Sequence, residues 1–205
     1  LKAFWIILMK RGFTVNDFNK YESLIQERLS EYRYRHSLNV AESAVMLAKQ
    51  YGADENKARL AGILHDITKE TPLDVQYGYI IKGGESISKL ERNNPSVIHQ
   101  KAGAAYCLLE LGITDCDVLG AVRWHTTGRR GMTLLERVVY TADFISADRS
   151  YPDVDEMRRL AGMSLESAML YSLKYTINKL VDKTELIHPD TLECYNDLLE
   201  EKIKD

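Results

Sequence analysis

An all-α fold is predicted on three observations. Apolar residues recur at i, i+3 and i+4 through most of the chain, the period of a helix with one buried face. No stretch alternates apolar and polar residues as a half-buried strand would, and no internal repeat appears. Capping residues stand where the periodic runs start and stop.

The elements follow in order. Asn16 or Asp17 is placed to cap a helix whose stripe is Tyr21, Leu24, Ile25 and Leu29. A second helix carries His36 near its start, presents Leu38, Ala41, Val45 and Ala48, and stops at Gly52. Asp54 caps a third, which runs through His65 and Asp66 to Thr71-Pro72. Residues 72–95, with Gly78, Gly83, Gly84 and Pro95, read as short helices and loops. Helices are expected from about Ser96 to Leu111, bearing His99, and from about Asp115 to His125, which breaks into Thr126-Thr127-Gly128. Thr133-Leu134-Leu135-Glu136 is a capping box opening the run Val138, Val139, Tyr140, Ala142 and Asp143. A loop at Tyr151-Pro152, a short helix over 155–160, a long one over 164–181 and a last from about Asp190 complete the chain.

The 205 residues are 45% hydrophobic, enough for one domain with its own core. A net charge of −3 argues against a general binder of nucleic acid or anionic membrane. Cys107, Cys116 and Cys194 are odd in number, far apart and without a Cys-x-x-Cys pair, which reads as reduced core thiols in a cytoplasmic protein. No apolar run approaches the ~20 residues a spanning helix needs. The run Phe4–Met9 precedes Lys10-Arg11, the reverse of a signal peptide. Because Leu1 is not Met, residues 1–13 read as a processing or cloning remnant ahead of a single domain over 14–205.

The organising stretch is Ile63-Leu64-His65-Asp66-Ile67-Thr68-Lys69-Glu70. On a helix His65 and Asp66 lie roughly 100° apart, and Lys69 falls between them one turn on. Burying an imidazole, a carboxylate and an ammonium without partners costs several kcal/mol; a divalent metal with an anion over it would satisfy all three. One histidine in a core is ordinarily just a satisfied core residue. Here His36, His65, Asp66 and Asp143 interrupt three apolar helices, and His99 and His125 two more, which favours a metal centre.

Arg33-Tyr34-Arg35-His36-Ser37-Leu38-Asn39-Val40-Ala41, Leu64-His65-Asp66-Ile67-Thr68-Lys69, Trp124-His125-Thr126-Thr127-Gly128, Thr141-Ala142-Asp143-Phe144-Ile145 and Ile187-His188-Pro189-Asp190-Thr191 carry a resemblance. Together, over about residues 17–200, they resemble the HD-domain metal-dependent phosphohydrolases, and within them the bacterial YqeK-type symmetrical diadenosine tetraphosphatases. Guanosine-polyphosphate hydrolases fit less well, because they follow His-Asp closely with Glu-Asp where this chain has Thr68-Lys69-Glu70. The resemblance implies an HD-type helical bundle and a metal, iron, held by His36, His65, Asp66 and Asp143. The ligand types also suit manganese, cobalt, nickel or zinc. It leaves open whether His99 and His125 hold a second metal bridged by Asp66 or touch phosphate directly.

The expected reaction is hydrolysis by a metal-activated water, with Asp66, Lys69, His99 and His125 as the catalytic set. Lys69 faces the phosphate charge by its phase, and Arg33, three residues before His36, joins it. The resemblance adds nucleotide contacts from Ile67, Thr68, Thr126, Asp143, Arg149, His188 and Thr191. The His125–Gly128 turn offers hydroxyls and backbone N–H groups to phosphate, and Tyr77, Tyr79 or Tyr151 offers a ring to a base. The expected partner is a dinucleoside polyphosphate or nucleoside diphosphate, with no nucleic acid and no membrane; a homodimer suits an enzyme of this size without any residue demanding one. Two alternatives stand beside this reading. One is an HD phosphohydrolase of another nucleotide or an RNA phosphate ester, which the lack of a long basic stripe disfavours. The other is a non-catalytic nucleotide sensor, which has no chemical need to keep His36, His65, Asp66, Lys69 and Asp143 together.

Overall fold

The computed structural model describes residues 18–204, which form eleven α-helices with no strand among them. Asn16, Asp17 and the Phe4–Met9 run lie outside the described residues. The helices are α1 Phe18–Arg28, α2 Glu31–Tyr51, α3 Glu55–Leu64, α4 Leu73–Lys82, α5 Lys89–Asn93, α6 Ile98–Leu109, α7 Cys116–Trp124, α8 Leu134–Ile145, α9 Val154–Ala161, α10 Leu165–Asp182 and α11 Pro189–Lys204. A 3₁₀ turn, Pro95–Val97, precedes α6 where a continuous helix from Ser96 is expected. None of the helices is long and apolar enough to cross a membrane.

The caps follow the sequence closely. The Asp54 side chain accepts from the N–H groups of Asn56 and Lys57, and Asp115 does the same for Asp117 and Val118. Thr133 and Glu136 close their capping box, and Ser88 with Glu91 forms a second at α5. Gly52 ends α2 at φ 80°, a conformation open to glycine at little cost. The buried face of α2 is rotated from the expected stripe. It runs through His36, Val40, Ala44 and Leu47, and leaves Leu38 and Val45 half-buried, because His36 itself turns inward.

Helices α2, α3, α7 and α8 meet around one apolar centre that includes Val40, Leu60, Ile63, Val122, Val138 and Val139. Gly62 lets α2 and α3 approach: a Cβ there would stand 2.6 Å from the Ala41 Cα. That approach brings the rings of His36 and His65 to 5.3 Å. Cys107 and Cys194 are buried as expected, but Cys116 is exposed because it opens α7 on the solvent side; all three are free thiols.

The third helix is shorter than its sequence predicts. It ends at Leu64, and His65 to Glu70 continue as tight turns, with bonds from Ile67 N–H to Leu64 O and from Lys69 N–H to Asp66 O. The cause is the His65 ring. Its Nδ1 lies 2.7 Å from the Gly62 carbonyl, the acceptor that the Asp66 N–H would need to prolong the helix. Glu70 then anchors the turn by accepting from the Ser30 N–H at 2.6 Å and the Ser30 hydroxyl at 2.7 Å.

The closing segment is tied down through Glu91. The Lys101 ammonium sits 2.5 Å from this carboxylate, and His188 lies 3.6 Å away. Burial opposes ionisation of Glu91, but the Lys101 bond and the Ser88 donors outweigh it and draw the group down to about 2. A carboxyl lowered on folding stabilises the fold above its unfolded value of 4.5, and that contribution fades as pH falls toward about 2. Glu91→Gln is therefore expected to be less stable than the parent near neutrality, with the gap narrowing on acidification below about pH 4.5. Urea midpoints of both proteins across that range check this.

Candidate metal centre

The centre is assembled from the inward turn of α2, the end of α3, the start of α6, the end of α7 and the last turns of α8. His36, His65, Asp66, His99 and His125 are all buried, and Asp143 is partly open to solvent. Candidate ligand atoms of His36, His65 and Asp66 lie within 4.8 Å of one another, and those of Asp66, His99 and His125 form a second such group. The Asp143 Oδ1 stands 3.0 Å from the His36 Nε2 and 4.0 Å from the His65 Nε2, at the edge of the first group.

The tautomers decide what the rings offer. A carbonyl only accepts, so the Nδ1 of His65 carries the proton that goes to Gly62 O. His125 repeats the device at the end of α7, its Nδ1 2.7 Å from Val122 O. Burial pushes His65 down to about 3, so the ring is neutral and its Nε2 presents a lone pair. That nitrogen faces Asp66 at 3.6 Å and makes no hydrogen bond. Asp66 Oδ1 also lacks an aligned hydrogen bond, although His99 Nε2 approaches to 3.2 Å and His125 Nε2 to 3.6 Å. Burial opposes the charge on Asp66, but His65, His125 and His99 outweigh it and hold the carboxyl well below its usual range. Lone pairs and carboxylates converging without protons between them repel unless a cation joins them. This donor set fits a divalent metal, with nitrogen and oxygen ligands and no thiolate.

His36 is held differently. Its Nδ1 lies 2.8 Å from Asp148 Oδ2, while Asn39 donates to the other Asp148 oxygen at 3.1 Å. Burial lowers His36, but the bond to Asp143 more than offsets this and the group is raised. Arg149 bonds Asp143 twice, through the carboxylate and, at 2.7 Å, through the backbone carbonyl. Arg158 fixes the Asp148–Arg149 segment from behind by donating to the carbonyls of Ile145, Ser146 and Arg149 at 3.1–3.2 Å.

The cationic residues border the centre. Arg33 lies 2.9 Å from Asp66 Oδ2. Lys69 stands 3.9 Å from Asp66 Oδ1 and 3.1 Å from His99 Nε2, and burial lowers its pKa. Burial, then the Lys69 charge, draws His99 down to about 4, so this ring too is neutral.

Other expected contacts sit elsewhere. Ile67 is wholly buried in the core, and the Thr68 hydroxyl is committed to the His99 carbonyl at 2.9 Å. His188 and Thr191 pack in the closing segment, His188 against Glu91 and Asp190. The Thr126 hydroxyl reaches His99 Nε2 at 3.1 Å. The backbone N–H groups of Thr126 and Thr127, expected to face phosphate, already donate to Gln100 Oε1 at 3.1 and 3.2 Å. The sequence assigns no role to Gln100, Asp148 or Asn39. Asn39 had a usable signal, three residues beyond His36 on one helix face; Gln100 and Asp148 had none.

The Asp148 carboxylate orients His36 so that its Nε2 faces Asp143 and Asp66. Groups in this position typically change metal affinity by about 10–100-fold. Asp148→Ala is expected to weaken metal binding by that order, whereas Asp148→Asn, which keeps a carbonyl acceptor, retains most of it. Metal titration by calorimetry distinguishes the two.

Comparison with known proteins agrees with this geometry. The HD domain family model matches residues 33–148, a span bounded by Arg33 and Asp148. A Bacillus subtilis protein named bis(5′-nucleosyl)-tetraphosphatase, symmetrical, is 41% identical over 180 residues, covering 87% of this chain and 96% of the relative. A Staphylococcus aureus protein of the same name is 37% identical over 193 residues, covering 92% and 99%. A Clostridium acetobutylicum crystal structure, described as a predicted HD superfamily hydrolase involved in NAD metabolism, superposes with a TM-score of 0.87 at 37% identity, over 90% of this chain and 97% of that one. With the ligand cluster, the helical frame and these relatives in agreement, the chain belongs to the HD-domain family of metal-dependent phosphohydrolases.

Proposed function

We propose that this protein hydrolyses diadenosine tetraphosphate symmetrically, giving two ADP. The observation that carries the reading is the buried set His36, His65 and Asp66 with Asp143 at its edge, in a chain that spans nearly the full length of relatives named for that activity. A divalent cation held by these four residues would supply Lewis acidity and a water acidified from about 15.7 toward 7. Iron is the metal we propose, following the family resemblance.

The protein's own groups do the rest. Lys69 and Arg33 beside Asp66, and Arg149 beside Asp143, offer positive charge to the phosphate oxygens as negative charge builds on them. Water adds to one of the two middle phosphorus atoms. The bond from that phosphorus to the central bridging oxygen breaks, and the oxygen leaves with the second ADP. That oxygen departs as the terminal phosphate anion of ADP, its charge met by the Lys69 ammonium, which neutral His99 and the Thr126 hydroxyl flank. The bond from His125 Nδ1 to Val122 O fixes the ring with its Nε2 toward His99 and Asp66. The substrate is a small dinucleotide, met in the cytoplasm.

A second reading concerns metal number alone. Asp66, His99 and His125 place candidate atoms within 4.8 Å of one another and would hold a second cation, with Asp66 common to both groups. Metal analysis per chain separates one ion from two.

The test of function is anaerobic turnover of diadenosine tetraphosphate with added iron, products resolved by chromatography. ADP as sole product is expected; ATP with AMP would overturn symmetrical cleavage. Asp66→Ala is expected to lose metal and turnover together. Lys69→Ala is expected to keep its metal and lose about 10²-fold in kcat, the usual loss for a charge-stabilising donor. Loss of metal from the Lys69 variant would refute its assignment to phosphate.

A further inference from the structure

Tyr32 is the second residue of α2, one turn before His36, and the chemistry above leaves it unused. Among the described residues it is the one large aromatic ring left strongly exposed, at 58%. Its plane lies within 7° of the His36 ring, with centroids 6.4 Å apart. The Arg33 guanidinium carbon is 5.6 Å from the ring centre, and the Arg149 guanidinium lies within electrostatic reach of the Tyr32 hydroxyl. Tyr32 therefore stands on the rim of the metal centre, with Arg33 beside it and the Arg149 charge within reach.

The other aromatic rings considered for a base are committed. Tyr79 packs edge-on against Tyr106 at 5.3 Å. Tyr151 packs on Tyr175 and donates its hydroxyl to the Phe144 carbonyl at 3.0 Å. Tyr77 is packed against the Ile80, Ile98 and Ala102 cluster. The Arg123 guanidinium lies 3.8 Å from the Trp124 ring centre.

Moving outward from Asp66, the chain presents a ligand carboxylate, then Arg33, then the face of Tyr32. That order, metal, cation, ring, matches a nucleotide read from phosphate to base. An exposed phenol ring beside a guanidinium group is complementary to a purine, whose π-face stacks on aromatic rings. We propose that Tyr32 is the platform on which one adenine of the substrate stacks, and that it anchors the nucleoside whose phosphates reach the metal. This inference rests on the hydrolase reading above.

The test uses the metal-loaded full chain as parent, Tyr32→Phe and Tyr32→Ala. Kinetics with diadenosine tetraphosphate are paired with calorimetric affinities for ADP and for inorganic pyrophosphate, a probe without a base. Stacking on one base predicts that Tyr32→Ala raises KM and weakens ADP binding by about tenfold. Its kcat and pyrophosphate affinity should hold within about twofold, and Tyr32→Phe should match the parent. Unchanged KM and ADP affinity in Tyr32→Ala would overturn the proposal. So would equal weakening of ADP and pyrophosphate, which would place Tyr32 at the phosphate end or acting through His36. A parent that leaves the dinucleotide intact refutes the hydrolase reading separately, while the ADP and pyrophosphate affinities still decide the stacking.

Discussion

The rest of the structure depends on one buried carboxylate. Asp66 is 3% exposed and stands among His65, His99 and His125, with Arg33 alongside. An ion of this kind is costly to bury unless it is paired and bonded. Its neighbours are arranged to keep it ionised and reachable, not to neutralise it within the apolar core. Five helices are held in register by this requirement, since each contributes at least one group to the same small volume.

The backbone meets that requirement with simple devices. Two helices are stopped by the rings they deliver, because His65 and His125 each take a carbonyl three residues earlier. The stop redirects the chain and fixes the proton on Nδ1, so positioning and chemical state are settled by a single bond. Gly62 removes the side chain that would hold α2 away from α3. Arg158 binds three carbonyls of the segment that supports His36 and Asp143, which ties an irregular stretch to α9.

Much of this was legible in the sequence, and the part that was not has physical causes. Helices and caps are local, so the Asp54 cap and the Thr133–Glu136 capping box read correctly. His36, His65, Asp66 and Asp143 stood out because polar groups interrupt apolar stripes. The end of α3 at Leu64 was hidden: a side chain competing for a main-chain carbonyl leaves the apolar period unchanged. Asp148 meets His36 across 112 residues, and Gln100 meets Thr127 across 27; no spacing rule reports such pairs. The Thr126 and Thr127 N–H groups seemed free for phosphate because their internal acceptor, Gln100, lies on another helix. Ile67 and Thr68 fell beside the His-Asp pair in sequence, but the tight turns after Leu64 direct them into the core. Cys116 was misread because hydrophobic character does not say which side of a helix start faces water.

The last helix seats directly on the turn that follows His125. A Cβ on Gly128 would stand 2.7 Å from Cys194 Sγ, Gly131 N–H donates to Asp197 at 2.7 Å, and Arg137 reaches Glu201 at 2.7 Å. The chain emerges from the ribosome N-terminus first. Every candidate ligand, from His36 to Asp143, is therefore synthesised before the segment that covers the turn beside them. Ligand assembly and closure of the wall are separated in time by the making of some fifty residues, between Asp143 and Cys194. The nascent protein thus passes through a stage in which its ligands are all present while one side of the site still lies open to solvent.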